Sequence, residues 1–340
     1  MRKPAILITG AGGEIGHGLI AALSESDSRP IVTIDIAPLD ASIGRLVHRE
    51  LTGSILDTGL LERVLAEFEV ELVFHLAALL STRAEFTPVT AHQVNVEGML
   101  QLLEFAQREG ESHGRPVTFV YPSSIAAYGV PPDVRALGRR VREDEHNVPT
   151  TMYGCNKLYA EHLGRYYASH YKQLSAEPLA GKVDFRCVRF PGLISAQTVP
   201  SGGTSDYAPE MIHAAAQGHP YACFVRPDTR IPFMAMPDAV TALLTLASVP
   251  KAQLTRVVYN VTSFSPTAEE IRQEVLAAFP GAVLTYTSDR KRQGIVDTWP
   301  ADVDDRAARR DWGFAPRLGF RSALAEYLIP GIRERYASRP

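Results

Sequence analysis

The chain has 340 residues, of which 45% are hydrophobic and 21% charged, and its formal net charge is −3. This balance is typical of a globular protein and excludes the excess of basic residues that a nucleic-acid partner requires. The three cysteines are too few and too scattered for a disulfide framework or a zinc site, which favours a reducing, cytoplasmic setting. No stretch is apolar for long enough to indicate a signal peptide or a membrane span.

Apolar runs and helical patterns alternate along the first half of the chain. The apolar runs predict strands at Ala5–Thr9, Ile31–Asp35, Leu72–Leu76, Thr118–Pro122 and Val183–Phe190. The helical patterns lie at Glu14–Leu23, Leu60–Phe68, Ala91–Arg108, Tyr153–Tyr171, Asp238–Ala247 and Thr267–Phe279. This order of strand, helix and strand predicts an α/β fold with a Rossmann-type, doubly wound parallel sheet.

The polar, proline-containing stretches 131–149 and 172–182 are predicted to be surface loops. After Phe190 the rhythm becomes irregular, with clustered prolines and glycines. We therefore expect residues 1–190 to form mainly the nucleotide-binding domain. Residues 191–340 should form mainly a smaller, discontinuous substrate-binding lobe, with some return of the chain to the first domain.

A glycine-rich loop follows the first predicted strand and opens the first predicted helix. Gly10, Gly13 and Gly16 have the spacing that allows a tight turn, close approach to a pyrophosphate and close packing of helix on strand. The first helical turn, with Glu14 and Ile15, would supply N–H donors. Asp35 ends the second strand, where a carboxylate binds ribose hydroxyls and repels a 2′-phosphate. The pattern predicts a dinucleotide site that favours NAD over NADP.

Acid–base chemistry is predicted by a set of three residues in the middle of the chain. Tyr153 and Lys157 are four residues apart, so on a helix they share one face. A neighbouring ammonium favours the phenolate form of a tyrosine, which would make Tyr153 a usable base. Ser124 would lie at the carboxyl end of a central strand, where its hydroxyl can orient a reacting oxygen.

Together these motifs resemble the extended branch of the short-chain dehydrogenase/reductases, the NAD-dependent epimerase/dehydratase superfamily. The stretches 189–195, 202–208, 223–229 and 297–300 are similar to the short-chain type of L-threonine 3-dehydrogenase. The resemblance implies a metal-free enzyme that uses NAD to oxidise the β-hydroxyl of L-threonine to 2-amino-3-oxobutyrate. Tyr153 would be the base, Lys157 its electrostatic partner and Ser124 the orienting hydroxyl.

The resemblance also implies further site residues and an assembly. Additional residues at the cofactor would be Ile36, Ser54, Ile55, Leu76, Ala77, Ala78, Asn95, Leu193 and Ile194. Those at the substrate, besides Ser124 and Tyr153, would be Ser81, Thr204, Ser205, Asp206 and Trp299. A homodimer is expected through a four-helix bundle of Ala91–Arg108 and Tyr153–Tyr171. No membrane partner is expected.

The substrate remains open at this stage, because Ala235 and Pro237 depart from the pattern of the threonine enzymes. One alternative is a nucleotide-sugar epimerase or dehydratase that keeps NAD bound through its cycle. A second alternative is a dehydrogenase of another small hydroxy acid. A third is a dinucleotide-sensing protein without activity, because a fold alone does not establish catalysis.

Overall fold

The computed structural model describes residues 2–175, 181–200 and 202–337. Its strands are β1 (Lys3–Thr9), β2 (Ile31–Asp35), β3 (Arg49–Thr52), β4 (Phe68–His75), β5 (Val117–Ser124), β6 (Val183–Phe190), β7 (Gly192–Ile194), β8 (Tyr221–Cys223), β9 (Phe233–Ala235), β10 (Val258–Asn260) and β11 (Leu284–Tyr286). The seven-stranded sheet has the order β10-β6-β5-β4-β1-β2-β3, and every pair in it is parallel. The predicted Rossmann-type sheet is confirmed.

The helices connect these strands and cover the sheet. They are α1 (Glu14–Ser26), α2 (Ala41–Gly44), α3 (Thr58–Glu67), α4 (Ser81–Phe86), α5 (Pro88–His92), α6 (Gly98–His113), α7 (Pro132–Ala136), α8 (Met152–Ser169), α9 (Tyr207–Gln217), α10 (Met236–Ser248), α11 (Ala268–Ala278), α12 (Arg290–Val296), α13 (Arg306–Trp312), α14 (Phe320–Ser322) and α15 (Ile329–Ala337). Short π-helical turns at Gln93–Glu97 and Ala323–Leu328 join α5 to α6 and α14 to α15. In the described part of the chain, no helix is both long and apolar enough to cross a membrane.

Successive side chains of a strand point to opposite faces of the sheet, so each face has its own apolar core. In β1, Ala5 and Leu7 pack in the cluster that contains residues of α3, α6 and α8. Ile6 and Ile8 pack in the opposite cluster, with residues of α1, α10 and α13. Both faces of the sheet are therefore covered by apolar side chains, and ligands can reach the sheet only at the ends of its strands.

Several predicted element boundaries were wrong. The helix predicted to end at Phe68 ends at Glu67, and Phe68 begins β4 because it is buried against the sheet core. The helix predicted over Ala91–Arg108 is interrupted by the π turn and runs on to His113, where Gly114 (φ +78°) ends it. Strands β3 and β10 were missed because each is only three or four residues long.

The C-terminal lobe has its own apolar core, and each half of the chain contributes segments that pack with the other half. Tyr128 and Val141 of the first half pack in the same cluster as α9 and α11. In the other direction, β10 pairs with β6 and extends the large sheet. The predicted loop 131–149 contains α7, and the predicted loop 172–182 lies partly outside the described residues.

Candidate active site

A cavity of about 770 Å³ lies at the carboxyl end of the sheet, where open parallel sheets bind ligands. One end is lined by Asp35, Ser54 and Ile55, and the other by Tyr153 and Trp299. The cavity therefore joins the predicted adenosine side to the predicted catalytic residues, and the lobe supplies its far wall.

The glycine-rich loop fits a phosphate-bearing ligand. Gly10 has φ +71°, and a Cβ at this position would lie 2.5 Å from the backbone nitrogen of Ala77. A Cβ on Gly16 would lie 2.2 Å from the carbonyl oxygen of Ala11. Helix α1 begins at Glu14, and its N-cap residue, Gly13, has no side chain that could accept from the first turn. Its N–H groups thus face the cavity as donors for an anion.

The Asp35 carboxylate stands at the end of β2, beside this loop. Its two oxygens accept hydrogen bonds from the backbone N–H of Gly12 at 2.9 Å and of Ala37 at 3.2 Å. These bonds fix the carboxylate at the cavity wall, and each oxygen keeps a lone pair for a further donor. This is the arrangement that binding of ribose hydroxyls requires.

Tyr153, Lys157 and Ser124 meet at the other end of the cavity. Thr151 caps α8 by accepting from the N–H of Gly154 at 3.1 Å, so Tyr153 and Lys157 lie in the first turns of a well-anchored helix. The Lys157 ammonium donates to the carbonyl of Pro122 at 2.7 Å and lies 5.5 Å from the centre of the Tyr153 ring. Because Pro122 belongs to β5, this bond ties the helix to the strand that carries Ser124.

Burial determines the proton affinities at this end. Desolvation lowers the pKa of Lys157 to about 8, against smaller contributions from Cys187 and Glu161 that raise it. Desolvation also raises the pKa of Tyr153 well above its usual value, and a hydrogen bond with Ser124 lowers it only in part. The net shift of Tyr153 is opposite to the one expected from its spacing to Lys157. A second cation beside the ring is therefore needed to form the phenolate readily.

Two buried polar residues support the site from behind. His75 ends β4 with a pKa lowered to about 3 by desolvation and by Lys157, and its Nδ1 lies 2.8 Å from the Thr9 hydroxyl. Asn95 holds the loop after β4, because its side chain accepts from the N–H of Leu79 at 2.8 Å and donates to the carbonyl of the same residue at 3.0 Å. Asn95 acts on the cavity wall through the backbone of Leu79, which lines the cavity, whereas His75 contacts the side chain of Thr9.

The lobe and α4 supply the side of the cavity where the substrate residues were predicted. The Thr204 hydroxyl lies 3.3 Å from the Ser81 hydroxyl, which joins the 202–206 segment to α4. Asp206 accepts from the N–H of Gly203 at 2.6 Å. The Glu14 carboxylate accepts from the Thr198 hydroxyl, and its pKa is raised, first by desolvation and also by the charge of Asp206.

Most of the sequence-predicted residues line this one cavity. They are Gly10, Gly13, Glu14, Ile15, Gly16, Asp35, Ile36, Ser54, Ile55, Leu76, Ala77, Ala78, Ser81, Ser124, Tyr153, Lys157, Leu193, Ser205, Asp206 and Trp299. Three others do not reach the lining: Asn95 and Thr204 act behind it, and Ile194 is 3% exposed within the core of the lobe.

Sequence reasoning missed several lining residues, including Arg83, Ser195 and Thr198. No local motif identifies Thr198, because its partner Glu14 lies 184 residues away. Arg83 carried a readable signal, since it is a cation two residues after Ser81. Among the described residues, no group of three or more histidine, cysteine or acidic side chains is placed to hold a metal ion.

Comparison with known proteins places the chain in a family. The family model described as the NAD dependent epimerase/dehydratase family matches residues 6–262, which is more than half of the chain. The chain therefore belongs to this family, within the short-chain dehydrogenase/reductases, and is an NAD-dependent enzyme. The predicted family and cofactor are confirmed.

Individual relatives are named for a particular reaction. The chain is 34% identical to the mitochondrial L-threonine 3-dehydrogenase of Bos taurus over 309 residues, 91% of this chain and 78% of that protein. A solved monomeric L-threonine 3-dehydrogenase from a metagenome is 35% identical, with a TM-score of 0.84 over 97% of this chain and 99% of that one. MoeE5, solved with UDP-glucuronic acid and NAD, is 26% identical, with a TM-score of 0.78 over 97% and 99%.

Proposed function

We propose that the protein is an NAD-dependent L-threonine 3-dehydrogenase that forms 2-amino-3-oxobutyrate. The observation that carries this proposal is the single cavity that joins Asp35 and the glycine-rich loop to Tyr153, Lys157 and Ser124. The similarity to threonine dehydrogenases along nearly the whole chain supports the choice of substrate. On this proposal residues 1–190 mainly bind NAD and residues 191–340 mainly bind the amino acid.

The residues of this chain perform the proton chemistry. Bound NAD supplies the acceptor for the hydride from C3 and a positive charge that favours the phenolate of Tyr153. Ser124 donates a hydrogen bond to the substrate hydroxyl oxygen and orients it. Tyr153 removes the hydroxyl proton as C3 loses its hydride, so the alcohol becomes a ketone. Lys157 stabilises the phenolate while Pro122 holds its ammonium in place.

The test is NADH formation by purified protein with L-threonine, beside D-threonine, L-serine, 3-hydroxybutyrate and a UDP-hexose. Reduction of NAD by L-threonine, with little from the other compounds, is the expected result. A strong rate with 3-hydroxybutyrate alone would contradict the choice of an amino acid and favour another small hydroxy acid. An absence of NADH with every compound would contradict the dehydrogenase assignment.

A nucleotide-sugar epimerase or dehydratase is the second candidate, and one observation favours it. Arg83 is exposed at the wall of the cavity, and no carboxylate lies within ion-pair distance of it in the described part of the chain. Such a cation could bind the pyrophosphate of a sugar nucleotide, and MoeE5 was solved with a ligand of that class. Conversion of the UDP-hexose without net NADH, lost in Arg83→Met, would favour this candidate.

We propose a homodimer formed through α6 and α8. Large apolar side chains are exposed on the neighbouring helices α4, α5, α6 and α8: Phe86, Val89, Leu100, Tyr159 and Tyr166. Exposed apolar side chains that are grouped on neighbouring helices are typical of an interface between subunits. Light scattering after gel filtration should give a dimer for the wild type and a monomer for Leu100→Glu. Leu137→Glu, at an exposed leucine outside these helices, is the control and should remain dimeric. A monomeric wild type, like the metagenome enzyme, would contradict the proposal.

We also propose a cytoplasmic location, on the scarcity of cysteine and the two buried free thiols of Cys187 and Cys223. Fractionation of cells that carry a tagged chain tests this. Recovery of the tagged protein in an organelle, as the name of the bovine relative suggests for that protein, would contradict it.

A further inference from the structure

A second cavity, of about 640 Å³, is separate from the cavity that contains Tyr153 and Lys157. It is lined by residues of α8, of β6 and of the segment 251–258, which leads into β10. Among the described residues, none lines both cavities. A volume of this size is typical of cavities that bind small molecules. The second cavity is therefore large enough for a ligand of its own.

The buried part of the second cavity carries charges that are already paired. Phe185 and Arg189 of β6 line it and are 3% and 2% exposed. The Arg189 Nη2 donates to the Glu161 carboxylate of α8 at 2.6 Å. Asp184, the carboxylate that β6 contributes to this cavity, lies 2.6 Å from the Nη2 of Arg186. The buried carboxylates of α8 and β6 are therefore not available to a ligand cation.

The loop that follows α7 contributes two further carboxylates, and each of them also has a cationic partner. The Glu143 carboxylate lies 3.5 Å from the Nη1 of Arg256 and accepts from the N–H of Asn260 at 3.0 Å. The Asp144 carboxylate lies 3.4 Å from the Nε of Arg142. In the described part of the chain, every carboxylate that lines the second cavity therefore has a cation of its own.

Two cations that line the second cavity have no such partner. Arg165 and Lys251 are exposed, and neither lies within ion-pair distance of a carboxylate of the described residues. Arg165 follows Leu158 and His162 at the i, i+4 and i+7 spacing of a helix, so these three lining residues share one stripe of α8. Two positive charges thus border the cavity without a negative charge that balances them.

We propose that the second cavity binds a small molecule in which a phosphate group is joined to an apolar body. A guanidinium binds phosphate oxygens through a planar set of donors, and an ammonium adds a point charge, so Arg165 and Lys251 suit this group. Leu158, Leu254 and Val257 line the same cavity and are half-buried, so they offer apolar contacts to the rest of the ligand. The proposal does not depend on the identity of the oxidised substrate.

The test is a calorimetric titration of phenyl phosphate into protein that is saturated with NAD. Bound NAD occupies the glycine-rich loop, so a phosphate group that binds in addition must use another site. We expect one phenyl phosphate per chain, bound at least about fivefold more tightly than inorganic phosphate, because the ring buries apolar surface. Benzoate, which has the ring but only one negative charge, should bind more weakly, and phenol should not bind measurably.

Variants locate the binding site. Arg165→Met and Lys251→Met should each raise the Kd for phenyl phosphate about three- to fivefold, and Arg165→Glu should abolish binding because it adds a repelling charge. Arg63→Met and Lys291→Met are the matched controls, since they remove exposed cations of α3 and α12 that line neither cavity. The Kd for phenyl phosphate should not change in the controls, and the Kd for NAD should not change in any variant.

The proposal is overturned if phenyl phosphate does not bind to the NAD-saturated wild type. It is also overturned if Arg165→Met and Lys251→Met bind phenyl phosphate as tightly as the two controls do. Equal affinities for phenol and phenyl phosphate would show that the protein selects the ring and not the phosphate, which contradicts the proposal as well. Each result can be obtained whether or not the protein oxidises L-threonine, so failure of this site and failure of the proposed function are distinguishable.

Discussion

Two buried cations, Lys157 of α8 and Arg189 of β6, differ in their surroundings. Lys157 is 3% exposed and lines the cavity at the carboxyl end of the sheet, the proposed NAD cavity, where its hydrogen bond goes to the neutral carbonyl of Pro122. Arg189 is 2% exposed and lines a second cavity of about 640 Å³, where its Nη2 lies 2.6 Å from Glu161. Desolvation acts against both charges, and only Arg189 has a carboxylate bound to it in the described chain.

The proton affinities follow from this difference. Desolvation lowers the pKa of Lys157 to about 8. Desolvation also acts to lower the pKa of Arg189, but the hydrogen bonds and charge of Glu161 outweigh it and raise the pKa above its usual value. Glu161 also accepts from Ser123 at 2.5 Å, so the polar groups behind α8 satisfy one another. The buried charges of Arg189 and Glu161 at the second cavity are therefore paired with each other, whereas the ammonium of Lys157 has no carboxylate bound to it in the described chain.

The largest effect should come from the reacting group of the NAD cavity. Tyr153→Phe removes the hydroxyl that takes the proton, so the turnover number should fall by about 10² to 10⁴. The Kd for NAD and the unfolding free energy should stay close to those of the wild type. Stopped-flow or steady-state NADH formation measures the loss. Tyr159→Phe, at an exposed tyrosine on the same helix, is the control, and a Tyr153→Phe enzyme with full turnover would refute the assignment.

Removal of the buried cation at the second cavity should lower the stability of the protein. Arg189→Met leaves the Glu161 carboxylate buried without its partner, which should lower the unfolding free energy by about 3–5 kcal/mol. Chemical denaturation measures this change. Arg165→Met, at an exposed arginine that lines the same cavity, should have little effect. Equal stabilities of the two variants would show that the buried pair is not what stabilises this region.

Cofactor affinity should depend on Asp35. Asp35→Asn removes the negative charge that accepts from the ribose hydroxyls, so the Kd for NAD should rise about tenfold. The Kd for NADP should rise less or fall, because the repulsion of its 2′-phosphate is removed. Calorimetric titration with both cofactors measures the ratio. Asp40→Asn, at the carboxylate that caps α2, is the control and should leave the NAD to NADP preference unchanged.

The smallest effect should be a pH dependence of stability from Lys157. The folded protein releases the Lys157 proton near pH 8, whereas the unfolded chain keeps it to about pH 10.5. The unfolded state therefore binds more protons between these values, and stability rises with pH there. From pH 7 to pH 9 the gain should be about 1 kcal/mol. Lys157→Met should lose this gain, and Lys251→Met, at an exposed lysine, should keep it. Identical slopes in all three proteins would contradict the lowered pKa.

Local sequence signals predicted the cofactor side of the cavity well. Gly10, Gly16 and Asp35 lie within one strand–helix–strand unit, so their spacing alone implies their arrangement. The lobe side was predictable only through the resemblance to a family. For example, the Nε of Arg135 donates to the carbonyl of Trp299, a residue of the cavity wall that lies 164 residues further along the chain. No periodicity in the sequence connects two such positions. The π turn at Gln93–Glu97 was also not predicted, because its residues have the same apolar pattern as an ordinary helix.

Hydride transfer from C3 of threonine is tested most directly by the fate of the hydrogen on that carbon. L-Threonine deuterated at C3 is incubated with the protein and NAD, and the cofactor is analysed by mass spectrometry. We expect reduced cofactor that carries the deuterium from the wild type, and almost none from Tyr153→Phe. Reduced cofactor without deuterium, or no reduction by the wild type, would contradict hydride transfer from the β-carbon of threonine in this cavity.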